Sequence, residues 1–125
     1  MILDTNALSA FVDEDDALLD VIRDAAELAL PVIVLGEFRF GIATSRRRLE
    51  YENWLARDLR LFHVLAVEEH TAAHYAAIRS ELKTRGTPIP ANDAWIAALA
   101  RQKRLPIVSR DVHFDSVRGL MRLSW

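Results

Sequence analysis

The sequence predicts an α/β sandwich built around a mainly parallel sheet. Short aliphatic or β-branched runs recur along the chain, and segments with helical spacing of apolar residues lie between them. No linker, repeat or low-complexity tract interrupts this alternation. Strands that alternate with helices pair in parallel, because each helix returns the chain to the same edge of the sheet. The 125 residues suit one ordinary domain, so we expect a single domain over residues 1–125.

The first predicted element is a strand over Met1–Asp4, followed by a helix that Thr5 or Asn6 can cap. Apolar residues then recur at helical spacing over Asp15–Leu30, which predicts a second helix. Pro31 is interpreted as the stop of that helix, because proline cannot continue one.

The middle of the chain is predicted to alternate between strand and helix. Three successive β-branched residues predict a buried strand over Val32–Val34, which leads into a helix over Leu35–Ala43. Apolar residues at every fourth position predict an amphipathic helix over Arg46–Leu61. A short strand is then expected over Val64–Val67.

The last part of the chain is predicted to contain two helices and two strands. Helical spacing covers Thr71–Thr84, and the two prolines of residues 86–90 require a loop after it. An almost wholly apolar helix is predicted over Asn92–Lys103. Strands are expected over Ile107–Val108 and Leu120–Ser124.

Composition narrows the functional classes. The chain has 16 basic and 18 acidic residues, a formal charge of −2, and no cysteine. The lack of thiols excludes disulfides, thiolate metal sites and cysteine nucleophiles. The sequence opens without a basic and apolar leader, and no apolar run approaches the roughly 20 residues of a membrane span. We therefore expect a cytoplasmic protein that does not enter a membrane.

Arginine dominates the basic residues, and three arginines stand together at Arg46, Arg47 and Arg48. The guanidinium group suits bidentate contacts with phosphate, so this cluster is a candidate site for a phosphate-bearing ligand. A solvated helix face accounts for such a cluster equally well.

Four carboxylates are predicted to gather at one edge of the sheet. Asp4 and Asp111 follow predicted strands, and Glu37 follows Val32–Val34 by one turn. Asp93 lies in the first turn of the predicted apolar helix. Open α/β sheets bind ligands beyond the carboxyl ends of their strands. Each acid alone also fits a helix cap, a solvated helix residue or a turn, but their shared position favours a site.

The missing counter-charge predicts what this site binds. Buried carboxylates without partners cost several kcal/mol each, and no Lys or Arg stands at a strand end near Asp4 or Asp93. Mg²⁺ and Mn²⁺ prefer carboxylate and phosphate oxygens. We therefore expect one or two such ions.

Ordered motifs along the whole chain resemble a known family. In chain order they are Ile2-Leu3-Asp4-Thr5-Asn6, Val34-Leu35-Gly36-Glu37 with Phe40-Gly41, Asn92-Asp93 with Ala97-Ala98, and Val108-Ser109-Arg110-Asp111-Val112-His113-Phe114. Together they look like a PIN domain of the VapC toxin type. Each motif is weak alone, whereas the ordered set is specific.

The resemblance implies a Rossmann-like three-layer α/β/α fold and a Mg²⁺- or Mn²⁺-dependent endoribonuclease, the toxin of a toxin–antitoxin pair. Carried over by position, the acidic site consists of Asp4, Glu37, Asp93 and Asp111. The implied metal ligands among them are Asp4, Asp93 and Asp111. The residues expected to support these ligands by hydrogen bonds are Thr5, Asn6, Ser109 and Asp115, and RNA contacts are expected at Arg46, Arg47 and Arg48.

One position departs from the family pattern. Many members have an aspartate directly before the phenylalanine of the last motif, and here that residue is His113. Asp111 is expected to supply the missing carboxylate. Whether Asp111, Asp115 or His113 completes the metal site stays open.

The resemblance also implies partners: an RNA substrate, a protein antitoxin that blocks the site, and a second copy in a homodimer. Aromatic residues predict an apolar groove that takes a helix of the antitoxin, unless they all belong to the core; they are Phe38, Phe40, Tyr51, Trp54 and Phe62.

Two other interpretations of the chain are open at this point. The first is a non-catalytic Rossmann-like interaction module whose acids are structural and bind no metal. The second, a haloacid-dehalogenase-like phosphatase, is disfavoured because Asn6 stands where that chemistry requires a second aspartate.

Overall fold

A computed structural model describes residues 1–125 as five short strands, six α-helices and two 3₁₀ turns. The strands are β1 Ile2–Leu3, β2 Ala29–Pro31, β3 His63–Leu65, β4 Ile107–Val108 and β5 Arg122–Leu123. The helices are α1 Thr5–Val12, α2 Asp16–Ile22, α3 Val32–Ile42, α4 Arg48–Asp58, α5 Glu69–Thr84 and α6 Ala91–Lys103. The 3₁₀ turns are Leu59–Leu61 and Val112–Ser116. None of the helices combines the length and apolar character needed to cross a membrane.

All five strands are parallel, in the order β3-β2-β1-β4-β5. The chain moves outward from β1 to β3 and then crosses back to β4, so its direction of travel reverses between β1 and β4. Right-handed crossovers, the usual hand, place α1–α4 on one face of the sheet and α5 and α6 on the other. The predicted three-layer α/β sandwich is confirmed.

The core lies around the two central strands and α6. Ile2, Leu3, Ile107 and Val108 are completely buried, so both strands are covered on both faces. The predicted apolar helix is α6, which buries six residues: Ala94, Ile96, Ala97, Ala98, Leu99 and Ala100. Asp93 therefore lies on a helix that is largely buried in the core.

The predicted strand over Val32–Val34 is wrong. These residues form the first turn of α3, and the strand beside β1 is Ala29–Pro31. Pro31 is the last residue of β2 and the N-cap of α3, with φ −57° and ψ 140°. Because proline suits the start of a helix as well as the end of one, its position here marks a beginning.

The predicted helix over Asp15–Leu30 is too long, since α2 ends at Ile22. The last residues of the predicted helix, Ala29 and Leu30, belong to β2 instead, and the Ala29 amide donates a hydrogen bond to the Met1 carbonyl at 2.8 Å. The cap predicted at Thr5 or Asn6 is also wrong. Asp4 itself is the N-cap of α1.

Candidate metal centre

Asp4 lies at the carboxyl end of the central strand, with only 5% of its surface exposed. Its Oδ1 accepts a hydrogen bond from the Ala7 amide at 2.7 Å, and its Oδ2 accepts one from the Ser109 hydroxyl. Its own amide donates to the Val108 carbonyl at 3.3 Å. The side chain is thus fixed both by the helix that it caps and by the neighbouring strand.

Ser109 joins two of the predicted acids. The residue is completely buried, and its hydroxyl oxygen also accepts a hydrogen bond from the Asp111 amide at 2.9 Å. One hydroxyl therefore holds the Asp4 carboxylate and the backbone of Asp111 in a fixed relation. The support expected from Ser109 corresponds to a hydrogen bond in the structure.

Asp93, Asp111 and His113 form a compact group whose potential ligand atoms all lie within 4.8 Å of one another. The His113 Nδ1 lies 3.6 Å from an Asp93 oxygen and 3.1 Å from an Asp111 oxygen. The 3₁₀ turn after β4 sets this geometry, because the His113 amide donates to Asp111 Oδ1 at 2.9 Å. The sequence favours Asp111 over His113 as a ligand, and the structure places both beside Asp93.

Glu37 approaches this group from α3. Burial and the charge of Asp111 raise the pKa of Asp93 most, and the negative charge of Glu37 also raises it. Its Oε1 atom is buried and has no hydrogen-bond partner. A buried carboxylate oxygen without a partner carries the full cost of its lost hydration. A hard divalent cation satisfies such an oxygen, so the donor set present here fits Mg²⁺ or Mn²⁺.

The pKa shifts of two acids also indicate a site that lacks positive charge. Burial is the largest cause that raises the pKa of Asp4, against the lowering effect of its hydrogen bonds from Ser109 and Ala7. Burial also raises the pKa of Asp93, and the charge of Asp111 adds to it. Both carboxylates are thus less easily ionised than in water, as expected for acids gathered without enough positive charge.

The other expected supporting residues take different positions. Asp115 pairs with Arg122, which donates hydrogen bonds of 2.8 Å to both of its carboxylate oxygens. Arg122 in turn donates to the Ser109 carbonyl at 3.0 Å, a link that no sequence motif indicated. The Asn6 amide interacts with Asp4, and Thr5 lines a cleft together with Glu37.

The arginine cluster at the start of α4 is exposed, but its members are not equivalent. Arg47 contacts Glu50 at 2.8 Å and Asp13 at 3.3 Å, and its guanidinium lies over the Tyr51 ring. The charge of Arg47 is therefore already balanced. Arg46 and Arg48 make no ion pair and are freer to meet a phosphate.

The five aromatic residues divide between core and surface. Phe38 and Phe62 are buried, whereas 83% of Phe40 is exposed. Tyr51 and Trp54 are half-buried and line a cleft of about 670 Å³. Six of the nine residues that line this cleft are polar or charged, so the groove beside these aromatics is mixed rather than apolar.

Comparisons with known proteins agree on one family. The family model described as "PIN domain" matches residues 1–120. The chain is similar to the Toxin FitB of Neisseria gonorrhoeae, with 36% identity over 91 residues, which cover 68% of this chain and 66% of that protein. It is also similar to Ribonuclease VapC5 of Mycobacterium tuberculosis, with 30% identity over 121 residues, covering 94% and 87% of the two chains.

Solved structures show the same fold. The crystal structure of FitAcB from Neisseria gonorrhoeae aligns with a TM-score of 0.87 at 29% identity, covering 98% of this chain and 95% of that one. VapBC2 from Rickettsia felis, bound to a DNA fragment from its promoter, also aligns with a TM-score of 0.87. It covers 99% of this chain and 97% of its own at 22% identity, a likeness that concerns the fold alone.

Proposed function

The chain belongs to the PIN domain family, and on that premise we propose that it is a metal-dependent endoribonuclease, the toxin of a toxin–antitoxin pair. The observation that carries this proposal is the buried Glu37 oxygen without a partner, beside the compact group of Asp93, Asp111 and His113. Relatives named as ribonucleases and as a toxin support the same activity. We take residues 1–125 as one functional domain.

The proposed metal ligands are Asp4, Asp93 and Asp111, with Glu37 as the fourth acid of the site. His113 remains the alternative to Asp111 as the ligand that completes the site. Mg²⁺ or Mn²⁺ held by these oxygens would supply positive charge to a phosphodiester and make a water molecule a better nucleophile.

Other steps of the proposed reaction are assigned to residues of the chain itself. Ser109 and the Ala7 amide fix the rotation of Asp4, so that its oxygens are oriented before any ligand arrives. Whichever of the four carboxylates holds no metal can accept the proton of an attacking water. Arg46 and Arg48 are proposed to attract the RNA backbone.

The proposed partners follow from the relatives. A solved structure with 29% identity is described as a member of the VapBC family of toxin–antitoxin systems from Mycobacterium tuberculosis, and it supports a protein antitoxin as the partner of this chain. We propose that an antitoxin helix occupies the cleft lined by Tyr51 and Trp54 and that its chain blocks the acidic site. A homodimer and a cytoplasmic location complete the proposal.

Incubation of the purified protein with a mixed RNA pool, in Mg²⁺ or in EDTA, tests the activity. New RNA ends are expected only with Mg²⁺, and mapping them reveals the cleavage preference. The Asp93→Asn variant, purified in the same way, controls for a contaminating nuclease and should yield no new ends. Equal cleavage in EDTA, or none under either condition, would contradict the proposed function.

A further inference from the structure

Arg110 stands between Ser109 and Asp111 and has no part in the site described above. Its guanidinium carbon lies 4.4 Å from the centre of the Trp125 ring, and its Nε donates to the Trp125 main-chain oxygen at 3.2 Å. Arg110 follows β4 and Trp125 follows β5. Because these strands are parallel neighbours, both residues lie at the edge of the sheet that carries the acids.

Arg110 is held in place but makes no close ion pair with a side chain. The nearest side-chain carboxylate is that of Asp15, at 3.9 Å, which is beyond hydrogen-bond distance. By contrast, Arg122 makes two hydrogen bonds of 2.8 Å to Asp115 and is only 17% exposed. The Arg110 side chain is 56% exposed, so a ligand can reach it.

We infer that Arg110 binds a phosphate of the RNA strand beside the one that is cleaved, with Trp125 holding the guanidinium in place. This inference rests on the proposed function. A polyanion that approaches several carboxylates is repelled unless a cation receives its neighbouring phosphates. A guanidinium fixed by stacking loses little freedom when it binds, and its planar donors match phosphate oxygens.

Two measurements on single-stranded RNA test this role separately from cleavage. The first measures the affinity for a fluorescent RNA oligonucleotide in EDTA, by fluorescence anisotropy at several salt concentrations. Loss of one phosphate contact in Arg110→Ala should weaken binding about tenfold and reduce the slope of log K against log salt by about 0.7. The second is cleavage in Mg²⁺, where KM should rise while kcat changes little.

Matched variants complete the design. Arg23→Ala removes another exposed arginine that pairs only with Asp20, at the end of α2, and should leave both measurements unchanged. Arg110→Lys keeps the charge without the planar fork and should restore part of the affinity. Trp125→Leu should reproduce part of the Arg110→Ala defect, because the guanidinium is no longer held in place.

The possible results separate the inference from the proposed function. Metal-dependent cleavage with the same salt slope, affinity and KM in Arg110→Ala and Arg23→Ala would overturn the role of Arg110 and leave the nuclease standing. In another result, the wild-type protein cleaves no RNA while its slope of log K against log salt still falls in Arg110→Ala. That result would support the phosphate contact and refute the nuclease.

Discussion

Two regions of this molecule place carboxylates in opposite electrostatic surroundings. Where α5 packs against α6, Glu81 accepts hydrogen bonds of 3.1 and 3.0 Å from Arg101, and this contact lowers the pKa of Glu81. At the carboxyl edge of the sheet, burial raises the pKa values of Asp4 and Asp93, and the negative charge of Asp111 adds to both.

The opposite pKa shifts distinguish an acid that stabilises the fold from acids that are suited to bind a cation. A paired carboxylate such as Glu81 stabilises the contact between two helices by a small amount. Acids that repel one another without an arginine or lysine partner destabilise the metal-free protein, even though Asp4 also caps α1. A cation that binds the folded state reverses that cost.

The largest difference is expected between Asp93→Asn and Glu81→Gln. Asp93→Asn keeps the size of the side chain and removes ligand charge, so cleavage in Mg²⁺ should fall by at least about 100-fold. Glu81→Gln removes an equal charge far from the site and should keep cleavage within about twofold. Rates on one RNA oligonucleotide measure both, and a folded Asp93→Asn protein with full activity would refute the assignment.

Ser109→Ala should have the next largest effect. The variant removes the hydrogen bond to Asp4 and the acceptor of the Asp111 amide, so both acids lose their fixed orientation. Loss of such a supporting group typically costs 10–100-fold, and we expect about that loss in cleavage rate. Ser109→Thr retains the hydroxyl, provided that the buried site admits a methyl group. A Ser109→Ala rate equal to that of the wild type would show that the hydroxyl only supports the fold.

Asp111 and His113 are expected to differ in metal affinity. Asp111→Ala should weaken Mn²⁺ binding about tenfold or more, while His113→Ala should stay within about threefold, because oxygen ligands suit a phosphodiester nuclease. Calorimetric titration of both variants with Mn²⁺ measures this. A large loss confined to His113→Ala would make the histidine the ligand in place of the missing aspartate.

The smallest expected effects concern stability. Glu81→Gln should lower the free energy of unfolding at pH 7 by about 0.5 kcal/mol, a small value because 40% of the side chain is exposed. Since the folded state lowers the pKa of Glu81, this stabilisation is present above the ordinary value of 4.5 and is lost as the pH falls through the lowered value. Urea unfolding at pH 7 and pH 3 should show the two proteins converging in acid.

In the absence of metal, Asp93→Asn should stabilise the folded protein, whereas Glu81→Gln destabilises it. Replacing a partly buried, repelled carboxylate by a neutral amide of the same size should raise the melting temperature by a few degrees. Thermal unfolding in EDTA measures this, and saturating Mn²⁺ should favour the wild type instead. A metal-free Asp93→Asn protein that melts below the wild type would contradict the contrast between the two groups of acids.

Local sequence signals indicate the positions of the candidate acids but misplace one of the strands beside them. Asp4 and Asp111 follow strands and Asp93 opens a helix, and each of these positions is a local signal. The position of β2 was missed because the β-branched run Val32–Val34 outweighed Pro31, whose role depends on the neighbouring strands. The link from Arg122 to Ser109 depends on a strand pairing that no local pattern records.

Direct titration with Mn²⁺ tests the central claim most simply, because it requires no knowledge of the RNA target. The unpaired acids are held to form a cation site, so the wild type and Glu81→Gln should bind Mn²⁺ with the same affinity. Asp93→Asn should bind at least about tenfold more weakly. No binding by the wild type, or equal binding by all three proteins, would contradict the account and favour an interaction module with structural acids.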